Sequence, residues 1–236
     1  MYPYAVILPA AGSGSRMGVS LPKVLLPIHR VGAPDRSVLR YTIEAFLGDP
    51  NCLRVIVCVP ASHMQRFGEE LPADPRVEII EGGPTRQASV SLGVSAMREA
   101  ISGADETITL VHDAARACVS FAVIQRVVAA VAEHGAATAA VPVVDSVCRG
   151  AGDGSILEYV DRNALWSIQT PQGFFLGELF AAHQRARELG IEALDDASLM
   201  SSVRRVALVE GDRLNIKITL QDDLRVASLV RGAMEN

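Results

Sequence analysis

Five short apolar runs punctuate the chain, at Ala5 to Leu8, Val55 to Val59, Val77 to Ile80, Thr107 to Val111 and Ala137 to Val144, and β-branched residues are frequent in them. Runs this short and this continuously apolar predict strands covered on both faces, as in a parallel sheet. Between them apolar residues recur every three or four positions: Leu39, Ile43 and Phe46, then Val90, Val94, Met97 and Ile101, then Val123, Val127 and Val131. That spacing gives each helix one apolar stripe to lay against a sheet. The third helix also has Ser120 in the N-cap place and Gly135 as a stop. Alternating β and α predicts an α/β fold with a doubly wound, mostly parallel sheet. In such a sheet ligands bind beyond the carboxyl ends of the strands, where the βα loops gather.

After Val144 the rhythm changes. Residues 144–160 contain a Gly152-Asp153-Gly154 turn between two short strand candidates, which predicts a protruding β-hairpin arm. Helix returns at about Leu176 to Leu189 with Gly190 after it, and again where Thr219-Leu-Gln-Asp222 resembles a capping box leading into Leu224, Ala227 and Val230. No repeat or low-complexity tract interrupts this order. At 236 residues the chain suits a single domain, 1–236, with the arm at about 144–160.

Charge narrows the partners. A net charge of -5 argues against a general binder of nucleic acid or anionic membrane, while leaving room for local phosphate sites. No stretch approaches the roughly 18 apolar residues of a membrane span, and Met1-Tyr-Pro-Tyr-Ala-Val-Ile-Leu has neither a charged start nor a long apolar core. The expectation is a soluble, cytoplasmic protein with small-molecule or protein partners. Cys52, Cys58, Cys118 and Cys148 show no C-x-x-C spacing and read as reduced packing residues.

Three loops carry the candidate chemistry. The first strand runs into Pro9-Ala10-Ala11-Gly12-Ser-Gly14-Ser-Arg16-Met-Gly18, followed by Leu21-Pro22-Lys23. Glycines there let backbone N–H groups approach an anion, and Arg16 and Lys23 add positive charge. The dinucleotide fingerprint fails because Met17 stands where its third glycine belongs, and no Gly-Lys-Ser/Thr is present for a Walker loop. The second loop is Glu81-Gly82-Gly83-Pro84-Thr85-Arg86-Gln87-Ala88-Ser89, where paired glycines admit a flat ligand and Arg86 and Ser89 offer donors. The alternative is a tight connection for the first loop and a strand-to-helix turn capped by Thr85 for the second. The third is Val111-His112-Asp113-Ala114-Ala115-Arg116, an apolar strand ending in an acid suited to hold Mg²⁺ against nucleotide phosphates, or else in a turn-forming Asp. His112 reads as a positioned structural histidine, because the five histidines show no metal spacing.

Taken together, Pro9-Ala-Ala-Gly-x-Gly-x-Arg16-Met with Pro22-Lys23, Gly82-Gly-x-x-Arg86-x-x-Ser89 and Val111-His-Asp-Ala-Ala-Arg116 resemble the 2-C-methyl-D-erythritol 4-phosphate cytidylyltransferases. The resemblance continues through Asp145-Ser146, Arg162 to Gln172, Asp195-Asp-Ala-Ser198 and Asn215-Ile-Lys217-Ile-Thr219, and so covers nearly the whole chain. Ala117 stands where the family often has proline, and Ser146 where it more often has threonine.

The resemblance implies a Rossmann-like nucleotidyltransferase that moves a cytidylyl group from CTP to 2-C-methyl-D-erythritol 4-phosphate. The products are 4-diphosphocytidyl-2-C-methyl-D-erythritol and pyrophosphate, in non-mevalonate isoprenoid precursor synthesis. It implies nucleotide contacts from Pro9, Ala10, Ala11, Gly12, Gly14, Lys23, Gly82, Gly83, Arg86, Ser89, Asp113 and Ala114, with Mg²⁺ at Asp113. It implies acceptor contacts from Arg116, Ser146, Arg162, Thr170 and Lys217, and catalytic charge from Arg16, Lys23, Arg162 and Lys217. The arm would reach across a homodimer to complete the neighbouring site. Two other readings stand beside it: a ribitol 5-phosphate cytidylyltransferase, which would share the donor chemistry, and a non-catalytic nucleotide-sensing module.

Overall fold

Strand β1 (Tyr4–Pro9) is the axis of the molecule, and every side chain from Tyr4 to Leu8 is fully buried. Alternation along a strand sends Tyr4, Val6 and Leu8 to one face of the sheet and Ala5 and Ile7 to the other, so both faces need covering. The computed structural model describes residues 2–11, 21–29 and 34–234.

Downstream of β1 come two short paired segments, β2 (Pro27–Ile28) and β3 (Arg36–Ser37). Then follow α1 (Val38–Leu47), β4 (Cys52–Val59), α2 (Met64–Gly68), β5 (Val77–Glu81), α3 (Arg86–Ala100), β6 (Ile108–Val111), α4 (Phe121–His134) and β7 (Ala136–Pro142). The arm is β8 (Val147–Gly150) and β9 (Ile156–Val160), and the chain continues through β10 (Trp166–Phe175), α5 (Leu176–Leu189), α6 (Asp196–Met200), β11 (Ala207–Glu210) and α7 (Gln221–Met234). Seven strands make the main sheet in the order β11-β7-β10-β6-β1-β4-β5. All neighbours are parallel except β10, which is antiparallel to β6 and β7.

The chain leaves β1 on one side for β4 and β5, then returns to place β6 on the other side of β1. The strand order therefore reverses at the β1–β6 pair, and the crevice beyond their carboxyl ends is where such a sheet receives ligands. Helices α1 and α4 pack Leu39, Ile43, Phe46, Val123 and Val127 on the Tyr4, Val6, Leu8 face. Helices α3 and α5 pack Val90, Val94, Met97 and Leu179 on the Ala5, Ile7 face. Each such buried aliphatic side chain stabilises the fold by about 1.5–3 kcal/mol. Gly93 lets α3 sit directly on the sheet, since a Cβ there would lie 2.6 Å from Ile7 Cγ2 and 3.0 Å from Cys58 Sγ.

The helix ends follow the chemistry of their caps. Ser37, Thr85 and Ser120 accept from the N–H of Arg40, Ala88 and Val123, and left-handed Gly135 (φ 82°) and Gly190 (φ 64°) stop α4 and α5. Helix α7 departs from the expected box. It is Asp223, not Asp222, whose carboxylate accepts from Thr219 N, Thr219 Oγ1 and Leu220 N. The arm is an antiparallel pair separate from the main sheet, with Gly154 at φ 86° in its turn. Its Ile156, Leu157 and Tyr159 are exposed. Cys52, Cys58 and Cys118 are buried free thiols and Cys148 is exposed; burial pushes the Cys58 thiol up to about 12. Among the described residues no helix is long and apolar enough to cross a membrane.

Candidate functional site

Backbone forms one wall of the crevice. Ala10 N–H is held by Cys58 O (2.8 Å) and Gly82 N–H by Val59 O (2.7 Å), which carries the loops after β1 and β5 on from neighbouring strands. They come into contact. A Cβ on Gly82 would lie 3.0 Å from both Ala11 Cβ and Ser89 Oγ, and one on Gly83 would fall 2.5 Å from Ala88 Cβ. Ala11, Gly82, Gly83 and Ser89 therefore meet where bulkier residues would not fit, with Pro9 and Ala10 leading into that contact from β1. Ser89 is fully buried, and its hydroxyl proton is committed to Thr85 O (2.9 Å), with Gly83 O at 3.2 Å. What Ser89 keeps to offer is a lone pair. Gly12, Gly14 and Arg16 lie outside the described residues. Lys23, half-buried, sits on a single 3₁₀ turn, Lys23–Leu25, near enough to α7 for its charge to help hold Asp223 ionised.

Asp113, just beyond β6, is the electrostatic centre. Its Oδ2 meets Lys217 Nζ at 2.8 Å and Arg116 Nε at 3.7 Å, and its Oδ1 accepts from Arg86 Nε at 3.1 Å. Burial alone would raise its pKa, yet Arg86, Lys217 and Arg116 together hold the carboxyl well below the usual carboxylate range. One anion thus stands among three cations drawn from α3, the Asp113 loop and the segment before α7. Arg86 is also paired with buried Asp196, so the cluster keeps one positive charge in excess, which suits an anion such as phosphate. Ala114 is buried behind the loop, and its carbonyl accepts from Thr42 Oγ1 at 2.9 Å. Burial lowers the pKa of Arg116, whose Nη1 donates to Asn215 O at 2.6 Å.

Among the described residues no three His, Cys, Asp or Glu side chains converge as a metal cage. Asp113 is the carboxylate of the crevice that could hold Mg²⁺, but both its oxygens face Arg86, Lys217 and Arg116, so the ion would have to displace part of that ring and take its other oxygens from water and substrate phosphates.

A buried relay fixes the Asp113 loop from behind. His112 is fully buried; its Nε2 faces the Arg116 carbonyl (3.2 Å), which can only accept, so Nε2 carries the proton and Nδ1 is an acceptor. The Thr170 hydroxyl then donates to Nδ1 (3.0 Å) and accepts from Asp113 N–H (3.0 Å). Burial drives the His112 pKa down to about 4, so the ring is neutral. Thr170 reaches this point because the β10–β7 register shifts between Ile168 and Gln172, and such irregularities re-aim side chains. Asn215 Nδ2 closes the set by donating to Thr170 O at 2.8 Å.

Ser146 and Arg162 stand at the base of the arm, both exposed, with Arg162 Nη1 donating to the Val144 carbonyl. The described contacts thus gather Arg86, Asp113, Arg116, Thr170 and Lys217 into one network and leave Ser146 and Arg162 outside it. Two members of the network, Asp196 and His183, have no role assigned from the sequence, although Asp196 stands in the Asp195-Asp-Ala-Ser198 motif. Asp196 accepts from Arg86 Nη1 at 2.7 Å, and His183 Nε2 faces the other Asp196 oxygen at 3.1 Å. The available signal was the acidic pair: Asp195 is consumed as the N-cap of α6, in a box with Ser198, which leaves Asp196 to turn inward.

Comparison with known proteins places this geometry. Residues 4–232 match the model of the family described as 2-C-methyl-D-erythritol 4-phosphate cytidylyltransferase. A protein of that name from Bacillus velezensis is 36% identical over 235 residues, covering 98% of this chain and 96% of the relative. One from Bacillus licheniformis is 37% identical over 234 residues, with 98% and 96% covered. The crystal structure of the Thermus thermophilus protein of that name superposes with a TM-score of 0.77 at 37% identity, covering 97% of this chain and 99% of that one. The Francisella tularensis structure gives 0.80 at 26% identity over 97% and 99%.

Proposed function

The chain belongs to the 2-C-methyl-D-erythritol 4-phosphate cytidylyltransferase family, and from that premise we propose that it transfers the cytidylyl group of CTP to 2-C-methyl-D-erythritol 4-phosphate, releasing pyrophosphate. The observation that carries the proposal is Asp113 ringed by Arg86, Arg116 and Lys217 at the reversal of strand order, beside a glycine wall that admits a flat base.

The chemistry asks little of the protein in proton transfer. A phosphate monoester has its second pKa at about 6, so the attacking oxygen is already anionic near neutrality and needs no general base. As its bond to the α-phosphorus forms, the bond from that phosphorus to the bridging oxygen breaks, and pyrophosphate leaves. The barrier lies in bringing anions together and aligning them. Lys217 and Arg116 give the acceptor phosphate its counter-charge, and Arg86 braces Asp113. Lys23, with Arg16, supplies charge to the α-phosphate. The Gly82–Gly83 turn and the Ser89 lone pair suit the amino edge of cytosine. Mg²⁺, when held by Asp113, would neutralise phosphate charge there.

We propose further that the protein is a single nucleotidyltransferase domain that works in the cytoplasm without nucleic-acid or membrane partners. It pairs as a homodimer through its arm. The exposed Ile156, Leu157 and Tyr159 on β9 support the pairing, as does the position of Ser146 and Arg162 outside the Asp113 network. Steady-state pyrophosphate release with CTP and each acceptor tests the assignment: methylerythritol phosphate should exceed ribitol 5-phosphate in kcat/KM by about 10²-fold or more, because the polar contacts of a site built for one acceptor go unpaired with the other. Equal or better turnover of the pentitol phosphate would transfer the assignment to that substrate, and CTP binding without turnover of either would leave a sensing module.

A further inference from the structure

We propose that Asp196 and His183 are positioning residues for the nucleotide, forming a buried mount that sets the Arg86 guanidinium. The inference rests on the nucleotide reading of the site and assigns a role to two side chains that make no contact with Asp113.

Arg86 is gripped at two points. Its Nε donates to Asp113 Oδ1 at 3.1 Å and its Nη1 to Asp196 Oδ2 at 2.7 Å. Two acids on different edges of a planar fork fix both its position and its tilt, which one acid would not do. Asp196 is 1% exposed, so it sustains a charge only with partners for its oxygens. Arg86 serves one oxygen, and His183 Nε2, 3.1 Å from Oδ1, serves the other. Burial would raise the Asp196 pKa, but the His183 hydrogen bond and the Arg86 charge outweigh it, and the net shift is downward.

The mount is assembled from distant sequence. Arg86 opens α3, Asp196 opens α6 just after its capped start, and His183 projects from α5 and is 2% exposed. Gln87, next to Arg86, ties the same parts together: its Nε2 donates to Ile191 O (2.9 Å) and its Oε1 accepts from Ala193 N (2.9 Å).

One nitrogen of the held fork is left over. Arg86 Nη2 is buried with no hydrogen-bond partner. A nitrogen that gives up water and gains nothing is destabilising, and the loss is offset when a ligand oxygen accepts from it. With Nε committed to Asp113 and Nη1 to Asp196, Nη2 is the atom left to bind, and an acceptor oxygen of the nucleotide is the group that fits. Release of the mount frees the fork to rotate and misplaces that donor.

The test is CTP binding measured by calorimetry, which needs no acceptor, together with steady-state constants. Asp196→Asn should weaken CTP binding and raise its KM by about 10-fold or more, the usual scale for a misplaced binding group. The KM for the acceptor should move by less than about 2-fold. The decisive comparison is made on Arg86→Ala: if Asp196 acts through Arg86, adding Asp196→Asn to that background costs less than about 2-fold more, because coupled residues are not additive. Should Asp196→Asn fail to fold, His183 carries the test, with His183→Phe weakening CTP binding and His183→Gln, whose amide keeps a donor for Asp196, restoring it. A full extra loss on the Arg86→Ala background overturns the proposal. So does a His183→Phe protein with a lower Tm and unchanged CTP affinity. Failure of wild type to bind CTP would instead end the nucleotide reading itself.

Discussion

Replacing Asp113 by Asn removes the carboxylate shared by Arg86, Arg116 and Lys217; Arg86 keeps Asp196, while Arg116 and Lys217 lose their counter-ion. Breaking a buried ion pair by removing one partner costs about 3–5 kcal/mol when the orphaned charge stays buried. Lys217 is 40% exposed and Arg86 29%, so water screens part of the repulsion and the lower end, about 3 kcal/mol, is expected. For a chain of this length that lowers Tm by roughly 6–12 °C. The sign of the ligand effect separates this account from simple damage. A triphosphate brings back the missing negative charge, so saturating CTP without Mg²⁺ should raise the Tm of Asp113→Asn by more than it raises that of wild type. Turnover should meanwhile fall by about 10²-fold or more, since phosphoryl transfer depends on aligned charge. Thermal unfolding with and without CTP, followed by pyrophosphate release, reads all three quantities. An unchanged Tm, or a smaller CTP shift in the variant than in wild type, would show that Asp113 is not the counter-ion of this cluster.

His112 is neutral in the fold at about 4 against an ordinary 6.5, so its contribution is complete above pH 6.5 and is lost as pH falls from 6.5 to 4. That loss is about 3 kcal/mol, and denaturant unfolding across this window should be correspondingly less steep in pH for His112→Gln than for wild type. Gly93→Val forces a side chain against Ile7 and Cys58 and should destabilise by about 1–3 kcal/mol with KM for CTP unchanged in the folded protein; a neutral Tm would show that α3 can lift off the sheet. Mixing two inactive variants, Lys23→Ala and Arg162→Ala, should restore about a quarter of wild-type activity after subunit exchange, because half of the dimers are then mixed and each holds one intact site. Inactivity after demonstrated exchange would place Arg162 within its own subunit's site or outside catalysis.

Much of the scaffold was legible in the sequence because local and tertiary forces agree there. Residues 4–8 are apolar throughout and are buried on both sides, and Ser120 and Gly135 bound α4 where their cap chemistry says they should. Strand β10 was not legible. Its centre is Gln169-Thr170-Pro171-Gln172, polar and broken by proline, a composition that argues against an interior strand. It is tolerated because distant groups satisfy it: Gln169 pairs with the Asp212 backbone through both ends of its amide, Gln172 with Asp195 and Ala197 N, and Thr170 with His112 and Asp113. Helix α7 begins one position later than its pattern suggests because the carboxylate that reaches back to Thr219 is Asp223. For the site, sequence names the residues at the crevice, and the structure adds what it cannot, the connection of Arg86 to Asp196, 110 positions away, and on to His183.

The reaction makes one specific bond, from the acceptor phosphate to the α-phosphorus of CTP. The ³¹P NMR spectrum of the protein incubated with CTP, Mg²⁺ and 2-C-methyl-D-erythritol 4-phosphate reads that bond directly. The monoester and triphosphate signals should be lost in step, with equal appearance of pyrophosphate and of a coupled pair from a new diphosphate diester. A spectrum in which the monoester persists while CTP is consumed, or in which inorganic phosphate appears in place of pyrophosphate, would contradict the cytidylyl transfer.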